Sequence, residues 1–396
     1  AIDVWSDIAG AQDFHDGKAD HVTGLAAVGD QLMVTLTAPS NDFLQRLMLP
    51  YSCPVPSGTP IVPSLDPTTP VPTSGPYYLA AHGGGEYAIL KPNPNYGGSR
   101  QTGYDAIVLR FGLSDGDTVQ YVNNGQAGMA IGSTAIQPTS VASSTWGPDS
   151  ENAVSGDQRW YGIPYPGVDH LLLNPNGKLT SDPVVRRAIA LALDRAAAGQ
   201  SFFEPPATTI LNKSVAIQDP EATDLIGPDA ATAKADLAGR SGTIRFAISK
   251  NCSACLDSAN SIKSNLAAVG LTLEIVPEDS PFDAAVDPRQ RIDMIENYAQ
   301  PFYPDAAQLV DDIVSGAPQG WFNAAQQQQA ASLLALAGTA RDQGAADFAQ
   351  QLTSDATVIP YGGSIDGVYF SPSVGCRTII AGIMNVDLTA LCPASP

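Results

Sequence analysis

The sequence predicts an α/β protein of two or three domains, on three observations. A strand at 243–249, a helix carrying Ile262, Leu266 and Val269, and a strand at 271–276 form a β-α-β unit, whose crossover normally joins neighbouring parallel strands. A strongly signalled helix starts after Ser181, where Asp182 can accept the first free amide protons and Pro183 suits the first helical position. Finally, 396 residues, at roughly 150 per domain, are enough to bury real hydrophobic cores.

The elements follow in order along the chain. Leu32, Val34 and Leu36 recur at period two after Gly29-Asp30, predicting a half-buried strand over 31–37. Residues 42–49 read as a short amphipathic helix stopped by Pro50. Residues 51–74, rich in Pro, Ser and Thr, read as an extended loop and a candidate boundary between subdomains. Strands at 77–80 and 86–91 flank Gly83-Gly84-Gly85, which predicts a β-hairpin whose glycines supply positive φ. A strand with Ile107, Leu109 and Phe111 in phase is expected at 105–111, and mostly loop at 132–158. The helix from Pro183 buries a stripe of Val185, Ile189 and Leu193, with Arg186, Arg187, Asp194 and Arg195 polar. Helices at 323–337 and 340–356 precede a strand-like segment at 358–370, and no internal repeat is visible.

Composition narrows the function. Hydrophobic residues make up 44% but charged residues only 15%, below the usual quarter, and Gly and Pro are abundant, which suits a loop-rich extracellular protein. The formal net charge of −20 repels nucleic acid and anionic headgroups, so no nucleic-acid partner is expected. No window approaches the length of apolar sequence that crosses a bilayer. The chain opens at Ala1 without an initiator Met or signal segment, as expected of a processed chain or of one beginning inside a longer protein. Five cysteines are odd for a secreted protein. Cys252-Ser-Ala-Cys255 fits a redox pair or half a zinc site, but no second CxxC follows and the His are scattered, so a short-loop disulfide is the stronger reading and no metal is expected. Cys376 and Cys392 would close a modest loop, leaving Cys53 over.

Catalytic patterns are missing: there is no GxSxG elbow, HExxH, Walker A loop, dinucleotide GxGxxG or EF-hand loop. Asp115-Gly-Asp117 and Asp311-Asp312 are better read as solvated acids than as a glycosidase pair. A binder rather than an enzyme, with no cofactor, is expected. Aromatics gather at Trp160-Tyr161, Trp321-Phe322 and above all in Tyr298-Ala-Gln-Pro-Phe-Tyr-Pro-Asp305, where rigid rings at a strand end suit a ligand cleft.

Several of these segments together carry a family pattern. Asp182-Pro-Val-Val-Arg-Arg-Ala-Ile-Ala-Leu-Ala-Leu-Asp-Arg195, the preceding Asp169-His-Leu-Leu-Leu-Asn174, Thr73-Ser-Gly-Pro-Tyr-Tyr78 and Pro92-Asn-Pro-Asn-Tyr-Gly97 stand upstream. Ala235-Asp-Leu-Ala-Gly239, residues 266–275 and 298–305, and Val358-Ile-Pro-Tyr361 follow in order. In these the chain resembles the family 5 extracellular solute-binding proteins, the oligopeptide, dipeptide and nickel receptors of ABC importers. The resemblance implies an α/β, two-lobed periplasmic-binding-protein-like fold of the type II peptide-receptor class that closes on ligand by hinge motion. Residues 1–71 would be the remnant of an extra subdomain whose usual N-terminal part is missing. Residues 72–205, with 363–396 returning, would form the large lobe, and 206–362 the second lobe.

The resemblance also implies the site and its partners. Tyr298, Ala299, Gln300, Phe302, Tyr303 and Asp305 would contact a peptide or peptide-like ligand, with Trp160 and Trp321 as further aromatic contacts that could stack on a sugar. The family's ligand-pairing Asp falls on Pro301 and its G-E-x-D motif reads Gly125-Gln-Ala-Gly128, so two familiar charges are gone. Nickel is disfavoured because His and Cys do not cluster near the cleft segment. The alternatives are an oligosaccharide receptor, or a receptor-derived surface protein that binds another protein. A monomer delivering to a membrane permease is expected, on the outer side of the cytoplasmic membrane and lipid-anchored in the full-length protein.

Overall fold

The computed structural model describes residues 2–59, 72–100, 102–132, 159–212, 214–215, 224–379 and 386–394. Residues 60–71 and 133–158 of the two expected loops lie outside them. The strands in chain order are β1 (Leu25–Val28), β2 (Gln31–Val34), β3 (Tyr77–Gly83), β4 (Tyr87–Pro92), β5 (Ile107–Arg110), β6 (Met129–Gly132), β7 (Trp160–Leu173), β8 (Gly242–Ser249), β9 (Leu271–Glu278), β10 (Met294–Ala299), β11 (Val358–Phe370), β12 (Val374–Gly375) and β13 (Cys392–Pro393). Apart from short helical turns, the helices are α1 (Asp115–Asn123), α2 (Pro183–Ala192), α3 (Ala230–Leu237), α4 (Ser253–Ala268), α5 (Pro281–Val286), α6 (Ala306–Ser315), α7 (Ala324–Leu333) and α8 (Gly338–Ser354). The chain divides into two compact units, Ala1–Cys53 with Gly167–Asp194 and Thr208–Pro360, and Pro54–Pro166 with Arg195–Ala207 and Tyr361–Pro396. The first unit thus contains residues 1–53 and Gly167–Asp194 together with Thr208–Pro360.

The first unit is built on the expected β-α-β crossover. β8 runs parallel to β9 in register Ile244↔Leu273 and Phe246↔Ile275, and parallel to β10 through Met294↔Phe246. β10 then pairs antiparallel with the later half of β7, Met294 opposite Leu173 and Ala299 opposite Val168. That ladder explains why Gly167–Asp194 belongs here: the run ending in Asn174 cannot leave the sheet its carbonyls and amides complete. α4 buries Ala259, Ile262 and Leu266 against these strands and stops before Gly270, whose φ of +91° suits glycine. α2 forms as its cap predicts, with Asp182 accepting from the Val184 amide at 2.9 Å and Pro183 at the first position. Val185 and Ile189 are buried, each contributing about 1.5–3 kcal/mol relative to exposure. The polar face of α2 is spent on backbone: Arg186 donates to the Asp355 and Thr180 carbonyls, and Arg187 to that of Ser354.

The N-terminal segment of this unit departs from expectation. β2 pairs with β1 as a lone hairpin, and Leu32 is 66% exposed rather than half-buried, because no second layer covers the pair. The expected helix over 42–49 is a single turn, Phe43–Arg46, and its burial is inverted. Leu44 and Met48 face solvent while Leu49 is buried and Phe43 packs edge-on to Trp5, and Arg46 is buried because it has carboxylate and carbonyl partners.

In the second unit, β3, β4 and β5 make an antiparallel sheet whose first hairpin turns at Gly84 and Gly85, with φ of +49° and +82°. β6 pairs antiparallel with the end of β11, Met129 opposite Phe370. Tyr161, Ile163, Val368 and Phe370 form its core with Val374, Val386 and Leu391, and Trp160 packs with Tyr369 beside Val122 and Ala130. Both expected disulfides are formed, Cys252–Cys255 in the first unit and Cys376–Cys392 in the second, and Cys53 is an exposed free thiol. Arg195, grouped with the polar residues of its helix, is buried, which lowers its pKa to about 10.

Candidate ligand-binding site

The eight sequence-predicted contacts separate sharply. Tyr298 and Phe302 are 43% and 44% exposed and Gln300 is also exposed. Ala299 is buried as the last ladder residue of β10, opposite Val168. Trp160 and Trp321 are 0% and 3% exposed, so each packs its own unit's core and offers no open ring face. Tyr303 and Asp305 are buried with their polar atoms committed elsewhere.

The exposed part is held from beneath. The Tyr298 ring lies over Gly167, where an added Cβ would stand 2.2 Å from the phenolic oxygen, so a side chain there would displace the ring from this position. Tyr298 Oη donates to Gln300 Oε1 at 3.1 Å, and Asn212 Nδ2 donates to the Gly167 carbonyl at 3.2 Å. Beside them His170, fully buried on β7, has Nδ1 at 3.1 Å from the Val168 carbonyl. A carbonyl only accepts, so Nδ1 carries the proton and Nε2 accepts from Asn297 Nδ2 at 3.3 Å. Burial lowers the His170 pKa to about 4, leaving the ring neutral at pH 7. Gly167, His170, Asn297 and Asn212 therefore shape the site, and sequence reasoning missed them. The antiparallel register of β7 and β10 brings them together, and no local pattern encodes it.

The committed part belongs to a buried charge network. Asp305 caps α6, accepting from the Gln308 amide at 2.8 Å, and takes a two-pronged contact from Arg341 Nε and Nη2 at 2.9 and 3.0 Å. Tyr303 donates a short hydrogen bond to Asp42. Asp42 also accepts from Ser40, and lies 3.3 Å from Arg46 and 3.5 Å from Arg341. Arg46 in turn forks onto Asp7 at 2.8 and 2.5 Å and donates to the Val4 carbonyl. Charges alternate along Asp7, Arg46, Asp42, Arg341 and Asp305, so each buried ion has an opposite neighbour. Burial alone would raise the Asp42 pKa, but Ser40, Tyr303 and the two guanidinium groups outweigh it and hold the carboxyl below its usual range. Burial, with Asp42 beside it, raises that of Tyr303. Asp305 thus anchors a helix that its own sequence announces: an Asp followed by Leu309, Val310, Ile313 and Val314 at helical spacing is a cap and a buried face.

A groove of about 820 Å³ on the first unit is lined by Asn174, Lys178, Arg245, Glu274 and Arg291 among others, and shares none of the eight residues. Asn174 does structural work there, its side chain donating to the Ile292 carbonyl at 2.9 Å and its backbone amide to that of Asp293 at 2.8 Å. Among the described residues no group of His, Cys, Asp and Glu could hold a metal ion. No described helix is long and apolar enough to cross a membrane.

Comparison with known proteins agrees with this architecture. A periplasmic murein tripeptide binding protein, MppA, in its unliganded open form matches with a TM-score of 0.78 at 17% identity, covering 99% of this chain and 78% of that one. NikA from Brucella suis in complex with Fe(III)-EDTA gives 0.74 at 18%, covering 100% and 84%. Haemophilus influenzae OppA complexed with RPPGFSPFR gives 0.63 at 18%, covering 98% and 79%. At such identities these likenesses establish the fold alone, the two-lobed fold of the periplasmic binding proteins. No curated protein sequence matches significantly. The family model of the bacterial extracellular solute-binding proteins, family 5 Middle, matches residues 2–321. The chain belongs to these family 5 solute-binding proteins of ABC importers, which are receptors rather than enzymes and work outside the cytoplasm.

Proposed function

We propose that this chain captures a peptide or peptide-like ligand between two lobes, closes on it by hinge motion and delivers it to a membrane permease. The observation that carries the reading is the exposed end of β10: Tyr298, Gln300 and Phe302 present two aromatic faces and an amide at the strand end where the family resemblance puts the ligand contact. The peptide receptors among the structural neighbours, one named for a murein tripeptide and one complexed with a nine-residue peptide, support the ligand class. With Pro301 at the position of the family's acid and Asp305 spent on Arg341, contact comes from rings and main chain rather than from a carboxylate on an α-ammonium. The two compact units are the natural candidates for the lobes. The receptor works as a monomer, tethered by a lipid anchor on the outer face of the cytoplasmic membrane.

The test is thermal unfolding of the intact chain with a peptide library and a panel of oligosaccharides. A ligand that binds only the native state at 100 times its Kd adds about 2.7 kcal/mol, a shift of several degrees. Peptides are expected to raise the transition and sugars to leave it. A response to sugars alone moves the ligand class to oligosaccharide, and no response to either overturns the receptor reading.

A further inference from the structure

The family's chemistry leaves the Cys252–Cys255 pair unused. The two cysteines sit where β8 ends and α4 begins, within the parallel β-α-β unit, so the disulfide lies at the carboxyl end of a parallel strand and at the N-terminus of a 16-residue helix. Cys252 is the N-cap residue and its Sγ accepts from the Cys255 amide at 3.0 Å. A helix N-terminus and an amide donor both favour negative charge on sulfur, and leaving groups of low thiol pKa depart fastest in thiol–disulfide exchange. Both cysteines are partly exposed, so a small thiol can reach them. The Lys250 ammonium nearby is spent on Asp279 at 2.7 Å, and Asp257 and Glu278 are the other charged groups near the site, so the helix end and the amide carry the effect.

The second disulfide is a built-in contrast. Cys376–Cys392 joins residues 16 apart through the β12–β13 pairing, with no helix N-terminus at either sulfur among the described residues. Its longer loop removes more freedom from the unfolded chain, whereas closing residues three apart removes little. The first bond therefore does less for the fold and leaves a better-stabilised thiolate when opened.

We propose that Cys252–Cys255 is an exchangeable redox disulfide, opened and closed by low-molecular-weight thiols and disulfides outside the cytoplasm, while Cys376–Cys392 is structural. An incoming thiolate bonds to Cys255 Sγ, the Cys252–Cys255 bond breaks, and its electron pair leaves on Cys252 Sγ. A second thiolate attacks the small-molecule sulfur of the mixed disulfide, releasing the oxidised small molecule and a Cys255 thiolate. Two electrons pass from two thiols to the protein disulfide, and the thiol protons end in solvent or on the new cysteines.

The experiment equilibrates the intact chain in glutathione buffers of rising reduced-to-oxidised ratio, traps thiols with a maleimide and reads each cysteine peptide by mass spectrometry, with circular dichroism to monitor the fold. Cys53, an exposed thiol that itself exchanges with oxidised glutathione, is read on its own peptide and drops out of the comparison. Cys252 and Cys255 are expected to open together in the folded protein at a ratio at least about tenfold lower than Cys376 and Cys392. Simultaneous opening, the reverse order, or opening only on unfolding overturns the proposal. In Cys255→Ser, the pH midpoint of Cys252 alkylation by iodoacetamide should lie below the ordinary ~8.5, and a midpoint at or above it also overturns the proposal.

Discussion

Residues 298–305 are one continuous run of aromatics and prolines, yet its two ends have opposite fates. Tyr298, Gln300 and Phe302 are exposed, with the Tyr298 ring over Gly167, while Tyr303 and Asp305 are sealed into ion and hydrogen-bond partners from residues 42 and 341. The difference lies in which polar atoms have partners. A buried carboxylate without a guanidinium would cost several kcal/mol, so Asp305 stays inside only because Arg341 is there. An exposed Tyr or Phe carries no charge that needs such a partner. The run thus has one end fixed by buried partners and one end in solvent.

Four measurements would break or sharpen this contrast, in order of falling effect on stability. Asp305→Ala leaves the buried Arg341 charge uncompensated and uncaps α6, so denaturant unfolding should show a loss of about 3–5 kcal/mol. A loss under 1 kcal/mol would mean the anchored end is not anchored. The second concerns His170, beneath the exposed end. Its folded pKa of about 4 lies below the ordinary histidine value of 6.5, so the fold prefers the neutral ring. That preference is fully present above pH 6.5 and is lost as pH falls through 4, a difference of roughly 3 kcal/mol. Unfolding measured from pH 7 to pH 4 should steepen accordingly, and His170→Gln should remove that part of the acid sensitivity.

Tyr303→Phe deletes one donor to Asp42 and should cost about 1–2 kcal/mol. Asp42 is held below its usual range in the fold, so its contribution is present above the ordinary carboxylate pKa and is lost as pH falls. Without the Tyr303 hydroxyl that loss should begin at higher pH. The smallest effect on stability is expected at Tyr298→Ala and Phe302→Ala, within about 0.5 kcal/mol each. These two should instead weaken binding of a peptide ligand by about tenfold or more, or about 1.4 kcal/mol, read by calorimetry. Unchanged affinity in both would remove the exposed end from the site.

The same contrast shows what could be read in the chain itself. Asp182-Pro183 capping α2, the crossover from β8 to β9 and the glycine turn between β3 and β4 are set within a few residues, and all were legible. The ring-rich strand end at 298–302 is likewise a local pattern, and the structure adds that Tyr298 and Phe302 are exposed. Tyr303 to Asp42 spans 261 residues and Arg341 to Asp305 spans 36. No periodicity carries such pairings, so Asp305 looked like a ligand acid. Leu32 and Leu44 misled for the complementary reason: period and amphipathicity assume a core opposite, and none lies opposite them. Trp160 shows the limit of residue type, since a ring suited to stacking on a ligand is equally suited to packing on Tyr369.

The alternating network from Asp7 to Asp305 bears on the order in which the molecule can be made. A chain emerging from its N-terminus presents Asp42 and Arg46 long before Tyr303 and Arg341 exist to meet them. Neither compact unit is complete until residue 360 or beyond has been synthesised. Early segments that cannot satisfy their charges locally have little to fold onto, and non-local closure of this kind is slow. A nascent chain that stays open until residue 360 has been made suits a protein that works outside the cytoplasm.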